Sequence, residues 1–174
     1  MKLCRLSFLS AWLIMPLLAK TDSGFEKSSL AWRTALHFDP VAEAPLRSLI
    51  RLYGEGGKIT DLIGLYTQHL SQFPQDEGAK VVLARLYVET RDERAETFLT
   101  QSIAAHPQNA LLLHTRAQWL ESKFDPRALE ALDAAIALDQ TSRRIQWLGD
   151  LIEAAAAAGQ EDLITRRFAA LASE

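Results

Sequence analysis

From Ser28 onward the apolar residues of this chain recur at steps of three and four. Leu46, Leu49, Ile50 and Tyr53 form one such set, and Leu129, Leu132, Ala135 and Ile136 another. This spacing puts each set on one face of an α-helix, with a polar face opposite. The chain is also punctuated, which keeps the helices short. In "IAAHPQNALLL", Ile103 to Leu113, a helical run stops at Pro107 and an apolar run restarts at Ala110. Proline lacks an N–H and clashes with the preceding turn, so the first helix ends. Asn109 then offers a side-chain oxygen to cap the next helix. The same arrangement occurs at Pro40 and Pro74, and near Gln140, which fills the proline slot; successive intervals are 34, 33 and 33 residues. A second break falls inside each interval, at "YGEGGK" (Tyr53 to Lys58), "ETRDER" (Glu89 to Arg94), "ESKFDP" (Glu121 to Pro126) and "AAGQED" (Ala157 to Asp162). Glycine, aspartate and proline tolerate or force non-helical backbone there. Each unit therefore predicts two helices of roughly 13–15 residues, the mark of a helical repeat array.

The pattern resembles the tetratricopeptide repeat family. In the unit starting at Glu43, the family's first-helix slots fall on Leu46, Leu49, Ile50 and Tyr53, and its turn glycine on Gly57. The second-helix slots fall on Leu62, Tyr66 and His69, and the closing proline on Pro74. In the next unit Leu83, Ala84 and Tyr87 match; after a turn one residue shorter, Ala95, Leu99, Ser102 and Pro107 match. In the third, Ala117, Leu120, Ala128, Leu132 and Ala135 match. In the fourth, Leu148-Gly149 suits one register and Gly159 another, three residues away. Two departures stand out: His69 occupies a slot that is usually Ala, and Ile50 one that is usually Gly or Ala.

The resemblance implies an all-α fold, a right-handed superhelical stack of antiparallel helix hairpins (an α-solenoid). The units would run about 43–76, 77–109 and 110–142, with a half unit at 28–42 and a partial one at 143–174. Trp32 is expected to cover the open face of the first hairpin. Glu161, Asp162, Arg166 and Arg167 are expected to wet the last helix, as terminal repeats require.

The amino-terminal stretch is of another kind. "MKLCRLSFLSAWLIMPLLAK" carries Lys2 and Arg5 and then an apolar run from Leu6 to Ala19. That run is shorter than the roughly 20 residues a bilayer-spanning helix needs. A basic start, a short apolar middle and a small residue at its end read as a secretory signal peptide. Residues 1–19 are the expected signal, with cleavage after Ala19; the alternative cut follows Ser23, and an uncleaved membrane anchor is the fallback. Export to a periplasm or to the outside follows, without stable membrane insertion once the signal is removed. Cys4 is the single cysteine, so cleavage leaves no thiol for disulfides, thiolate catalysis or zinc. Cleavage also removes Lys2 and Arg5, taking the net charge from −3 to −5. An acidic chain disfavours nucleic acid and other polyanions as partners.

Catalytic chemistry finds no motif. His37, His69, His106 and His114 lack a second ligand at the next turn, and no convergent set of three or four metal ligands is visible. The glycines of "GEGGK" at Gly54 to Lys58 lack the phosphate-loop spacing. The expectation is no enzyme, no cofactor and no metal. What remains is the concave surface that stacked hairpins form. In the resembling family the first helix of each unit lines it. Here those positions are Arg47, Arg51, Val81, Arg85, Val88, Leu111, His114, Gln118 and Trp147. Arginine forks hold carboxylates through paired hydrogen bonds, so an acidic or extended peptide, or a chain terminus, is the expected guest. The other reading of the three arginines is surface pairing with Glu55, Glu89 and Glu121. The Lys and Asn residues of the family's carboxylate-clamp subset are absent, so that function is not carried over. The functional expectation is an exported scaffold that binds proteins or peptides. The alternatives are a docking arm of a larger secreted or envelope protein, and an enzyme on a helical scaffold.

Overall fold

A computed structural model describes residues 23–173; the signal-peptide reading therefore lies outside the described residues. The described chain forms nine helices and no strand. These are α1 (Ser23–Phe38), α2 (Glu43–Glu55), α3 (Ile59–Gln72), α4 (Glu77–Glu89), α5 (Arg94–Ala105), α6 (Ala110–Ser122), α7 (Arg127–Leu138), α8 (Arg143–Ala157) and α9 (Glu161–Leu171). Each helix packs against the next as a hairpin, except that α6 also packs on α4, and α4 reaches back to α1 and α2. None is long and apolar enough to cross a membrane.

The breaks read from the sequence end helices by one repeated device. Within the hairpins the turn residue adopts a left-handed conformation: Gly57 (φ 65°), Arg91 (φ 54°), Phe124 (φ 55°) and Gly159 (φ 67°). At each of these turns the following N–H reaches back five residues, as from Lys58 to Tyr53 O and from Asp125 to Leu120 O. That pair of bonds satisfies the last carbonyls of the helix. Gly159 occupies the last of these turns, and Gly149 lies inside α8. Between hairpins Asp76 accepts from Ala79 N (2.9 Å) and Asn109 from Leu112 N (3.0 Å), the caps expected after Pro74 and Pro107.

Two of these turns carry a side chain where glycine is free of strain. Phe124 is 97% exposed and holds its φ of 55° without packing in return. A left-handed residue other than glycine costs roughly 1–2 kcal/mol. Phe124→Gly is therefore expected to stabilise the chain by about 1 kcal/mol, and Gly159→Ala to destabilise it by a similar amount. Denaturant midpoints of the two variants check this; a destabilised Phe124→Gly would contradict it.

The core is a series of three clusters. The first joins α1 to α4 through Leu36, Leu46, Leu49, Tyr53, Leu62, Val82 and Leu86. The second joins α3 to α6, with Ile63, Leu83, Leu99, Leu112 and Trp119 among its members. The third joins α6 to α9 through Leu132, Ile136, Trp147, Leu151 and Leu163. Leu111 packs on both of the last two, so burial runs on from one hairpin to the next. The faces expected from periodicity are the buried ones: Leu46, Leu49 and Tyr53 on α2, and Leu129, Leu132, Ala135 and Ile136 on α7. Helix α4 departs from one-sided burial. Every residue from Val81 to Tyr87 is buried, because neighbours cover α4 on several sides.

Both ends correct expectations. Helix α1, Ser23–Phe38, contains the helix expected before Pro40. Trp32 stays 38% exposed; the first hairpin is covered instead by Leu36, by Ser29, whose hydroxyl meets the Tyr53 hydroxyl at 2.8 Å, and by Phe25, whose ring lies 4.9 Å from that of Tyr53. Trp32 lies on the same helix face as positions 25, 29 and 36, at three- and four-residue steps, and keeps that exposure nonetheless. At the other end Glu161, Asp162 and Arg166 are exposed as expected. Arg167 is not: it turns inward and forks onto the Asp133 carboxylate of α7 at 2.6 and 2.8 Å. Paired N–H donors on one carboxylate favour that geometry over solvation.

Candidate functional site

Four of the nine candidate positions converge on one cleft. Arg85 of α4, His114 and Gln118 of α6, and Trp147 of α8 line a cavity of about 210 Å³. Arg143, Gln146 and Asp150 of α8 and Glu43 of α2 complete its wall. His114, Gln118 and Asp150 also border a second hollow of about 440 Å³, with Glu121 and Glu153, so the cleft continues along α6 and α8.

His114 and Trp147 hold equivalent places in neighbouring units, 33 residues apart, and their rings stack at 4.2 Å and 11°. Trp147 is at once cleft wall and core, being 4% exposed. Burial pushes the His114 imidazole down to about 4, aided by the charges of Arg85 and Arg143 and opposed by Asp139. A histidine in the unfolded chain titrates near 6.5, so between pH 6.5 and 4 the unfolded state binds more protons. Stability is then full above pH 6.5 and falls as pH drops towards 4, by on the order of 1 kcal/mol per pH unit. The melting temperature of the wild type is expected to drop more steeply between pH 7 and 4.5 than that of His114→Gln. Parallel curves would remove His114 as the source.

Arg85 was expected on an exposed face and is the clearest correction. It is 5% exposed, and its guanidinium donates to Pro40 O (2.9 Å) and to Glu43 Oε1 (2.5 Å). Burial lowers its pKa, with Glu43 the main opposing charge. The partner is thus Glu43 of α2, not the Glu89 that the surface-pairing reading assigned. The offset of two positions from Leu83 and Tyr87 did turn Arg85 off their stripe, but that direction points at α2 and not at water.

Elsewhere the candidates separate. Arg47 and Arg51 are exposed on α2 and form no ion pair with a described residue. Val81 is fully buried, and Val88 and Leu111 are partly buried against the middle cluster. Sequence reasoning missed Arg143 and Asp150. The signal was present: both lie within one turn of Trp147 on α8, at positions −4 and +3, and so share its face.

Charge is divided along the cleft. Arg143 stands at one end, 3.9 Å from Asp139, and its Nε is buried without a hydrogen-bond partner. Asp139 spends its oxygens on the Thr141 hydroxyl at 2.8 and 3.0 Å. At the other end Asp150 has a raised pKa from burial, with Glu153 adding to it. No group of three or more His, Cys, Asp or Glu among the described residues is placed to hold a metal ion.

No family model matches the chain, and no curated protein or solved structure matches it significantly.

Proposed function

We propose that the chain is an exported, non-catalytic binding module whose hairpins stack as tetratricopeptide repeats do, and that the cleft between α4, α6 and α8 receives an extended peptide. The repeat reading is supported by the identical turn geometry at Gly57, Arg91, Phe124 and Gly159 and by the paired caps at Asp76 and Asn109. The export reading rests on the basic, then apolar, opening of the sequence.

The observation that carries the binding reading is the charged cleft wall, in which Arg143, 38% exposed and only 3.9 Å from Asp139, stands on the same helix as Asp150. A charge-assisted hydrogen bond from the exposed part of this guanidinium to an incoming carboxylate contributes about 1.5–3 kcal/mol. Arg85 is already occupied by Pro40 and Glu43, so Arg143 is the guest's anchor. Asp150 lies seven residues further along α8, roughly 10 Å at the helical rise. An extended peptide covers that span in about three residues. The guest is therefore a chain terminus whose free carboxylate meets Arg143 and whose Lys or Arg, about three positions earlier, meets Asp150 and Glu153.

Labelled peptides ending in Lys-Xaa-Xaa-Xaa-carboxylate, drawn from a terminal-peptide library, test this by fluorescence anisotropy. The free acid is expected to bind at least tenfold tighter than its amide, and Arg143→Ala to erase that difference. Equal affinity of acid and amide, or no binding by any member, would reject the reading.

A further inference from the structure

Helix α8 carries an apolar edge that the described helices leave open. Ile145, Gly149, Ile152 and Ala156 follow one another at steps of four, three and four, so they form one stripe along the helix. Ile145 is 77% exposed and Ile152 37%, and Gly149 and Ala156 are exposed as well. The core edge of α8, with Trp147, Leu151 and Ala155, points elsewhere and packs with α7 and α9. None of the four stripe residues lines either hollow of the peptide cleft.

Gly149 stands in the middle of this stripe. Glycine in a helix interior is less favourable than alanine. A Cβ at this position would meet no atom within 4 Å, so nothing among the described residues requires the side chain to be absent. A glycine on an exposed apolar edge suits the close approach of another backbone or of a large side chain.

The sizes along the stripe run large, small, large, small, and that order is self-complementary. Against an antiparallel second α8, Ile145 lies over the partner's Ala156. Four residues on along one helix and four back along the other, Gly149 receives the partner's Ile152. A twofold axis repeats both pairs, so every isoleucine meets a small residue and none meets another isoleucine. A parallel pair would set Ile145 on the partner's Ile145 and leave a gap between two glycines. Charge favours the antiparallel direction too. The basic start of α8, Arg143 and Arg144, comes beside the negative C-terminal end of the partner helix, and Gln146 on the flank can donate to the partner's Glu153.

We infer that a second copy of this chain covers the stripe, through an antiparallel α8–α8 seam that makes the protein a homodimer. A seam of about four helical turns is small for a specific interface, so the dimer exchanges with monomer in the micromolar range. Association through the stripe does not depend on a peptide in the cleft.

Sedimentation velocity of the full chain across that range tests the seam. The wild type is expected to pass from monomer to dimer as concentration rises. Ile145→Lys, at an exposed position, should weaken association about tenfold or more with thermal unfolding of the monomer unchanged. Gly149→Leu should weaken it as much and yet raise the melting temperature of the monomer, because leucine is the better helix former and has open space there. Exchanging the two sizes tests the register. Gly149→Leu combined with Ile152→Ala sets each new leucine on a small residue of the partner, and should restore dimerisation to within about threefold of wild type. If the double variant does not fold, the two single variants decide. A wild type that stays monomeric would leave the stripe to some other protein and overturn the proposal. An Ile145→Lys or Gly149→Leu protein that dimerises as the wild type does, or a folded double variant as weak as Gly149→Leu alone, would overturn it equally.

Discussion

Replacing Trp147 with alanine is expected to destabilise the chain by about 3–5 kcal/mol, the range for removing a large aromatic side chain from a packed core. Trp147 is 4% exposed and belongs to the cluster that joins α6, α7, α8 and α9 through Leu132, Ile136, Leu151 and Leu163. Removing the indole leaves a cavity among side chains that belong to four different helices. These cannot all close on it at once, so little of the loss is recovered. The His114 ring loses the surface it stacks on and gains access to water. Its pKa should therefore rise from about 4 towards the ordinary value, and the acid sensitivity assigned to His114 should shrink in the same variant. Denaturant unfolding at pH 7 measures the first effect and melting curves between pH 7 and 4.5 the second. A loss below about 1 kcal/mol would show that the indole is not a core element.

Arg85→Ala is the second large effect, expected to cost about 2–4 kcal/mol and several degrees of melting temperature. The guanidinium ties α4 to the entry of α2 through Pro40 O and Glu43. Its loss strands a carbonyl, empties a volume that only the arginine stem fills, and loosens the contact between two hairpins. Glu43 itself is 56% exposed, so Glu43→Gln, which keeps an acceptor in place, should cost less than about 1 kcal/mol. Arg51→Ala on the exposed side of α2 should stay within about 0.5 kcal/mol of wild type. The ordering Arg85 well above Glu43 and Arg51 is the test. An Arg85→Ala protein melting within a degree of wild type would return that side chain to a binding role.

The order of helices and breaks was legible along the chain because each is set by neighbours in sequence. Proline at 74 and 107 forbids the helix to continue, Asp76 and Asn109 cap α4 and α6, and left-handed turns recur at intervals of 33 to 35 residues, at Arg91 and Phe124 as at Gly57 and Gly159. The spacing of Leu46, Leu49 and Tyr53, or of Leu129, Leu132 and Ile136, selects the buried face of each helix for the same local reason. How many sides of a helix are covered is not local. Helix α4 carries a polar residue off its apolar stripe, and periodicity alone places that residue in water; the close approach of α2 instead closes over it and makes Arg85 a structural tie. Likewise, Arg143 and Asp150 share a face with Trp147 in any α8, but only the packing of α6 against that face brings His114 and Gln118 opposite them. Ile145, Gly149, Ile152 and Ala156 likewise share an edge in any α8, but only the packing of α7 and α9 on its other side leaves that edge open. Local backbone chemistry set the elements, and the sites arose where the tertiary structure decided which of their polar side chains would lose water and which would be left without a partner.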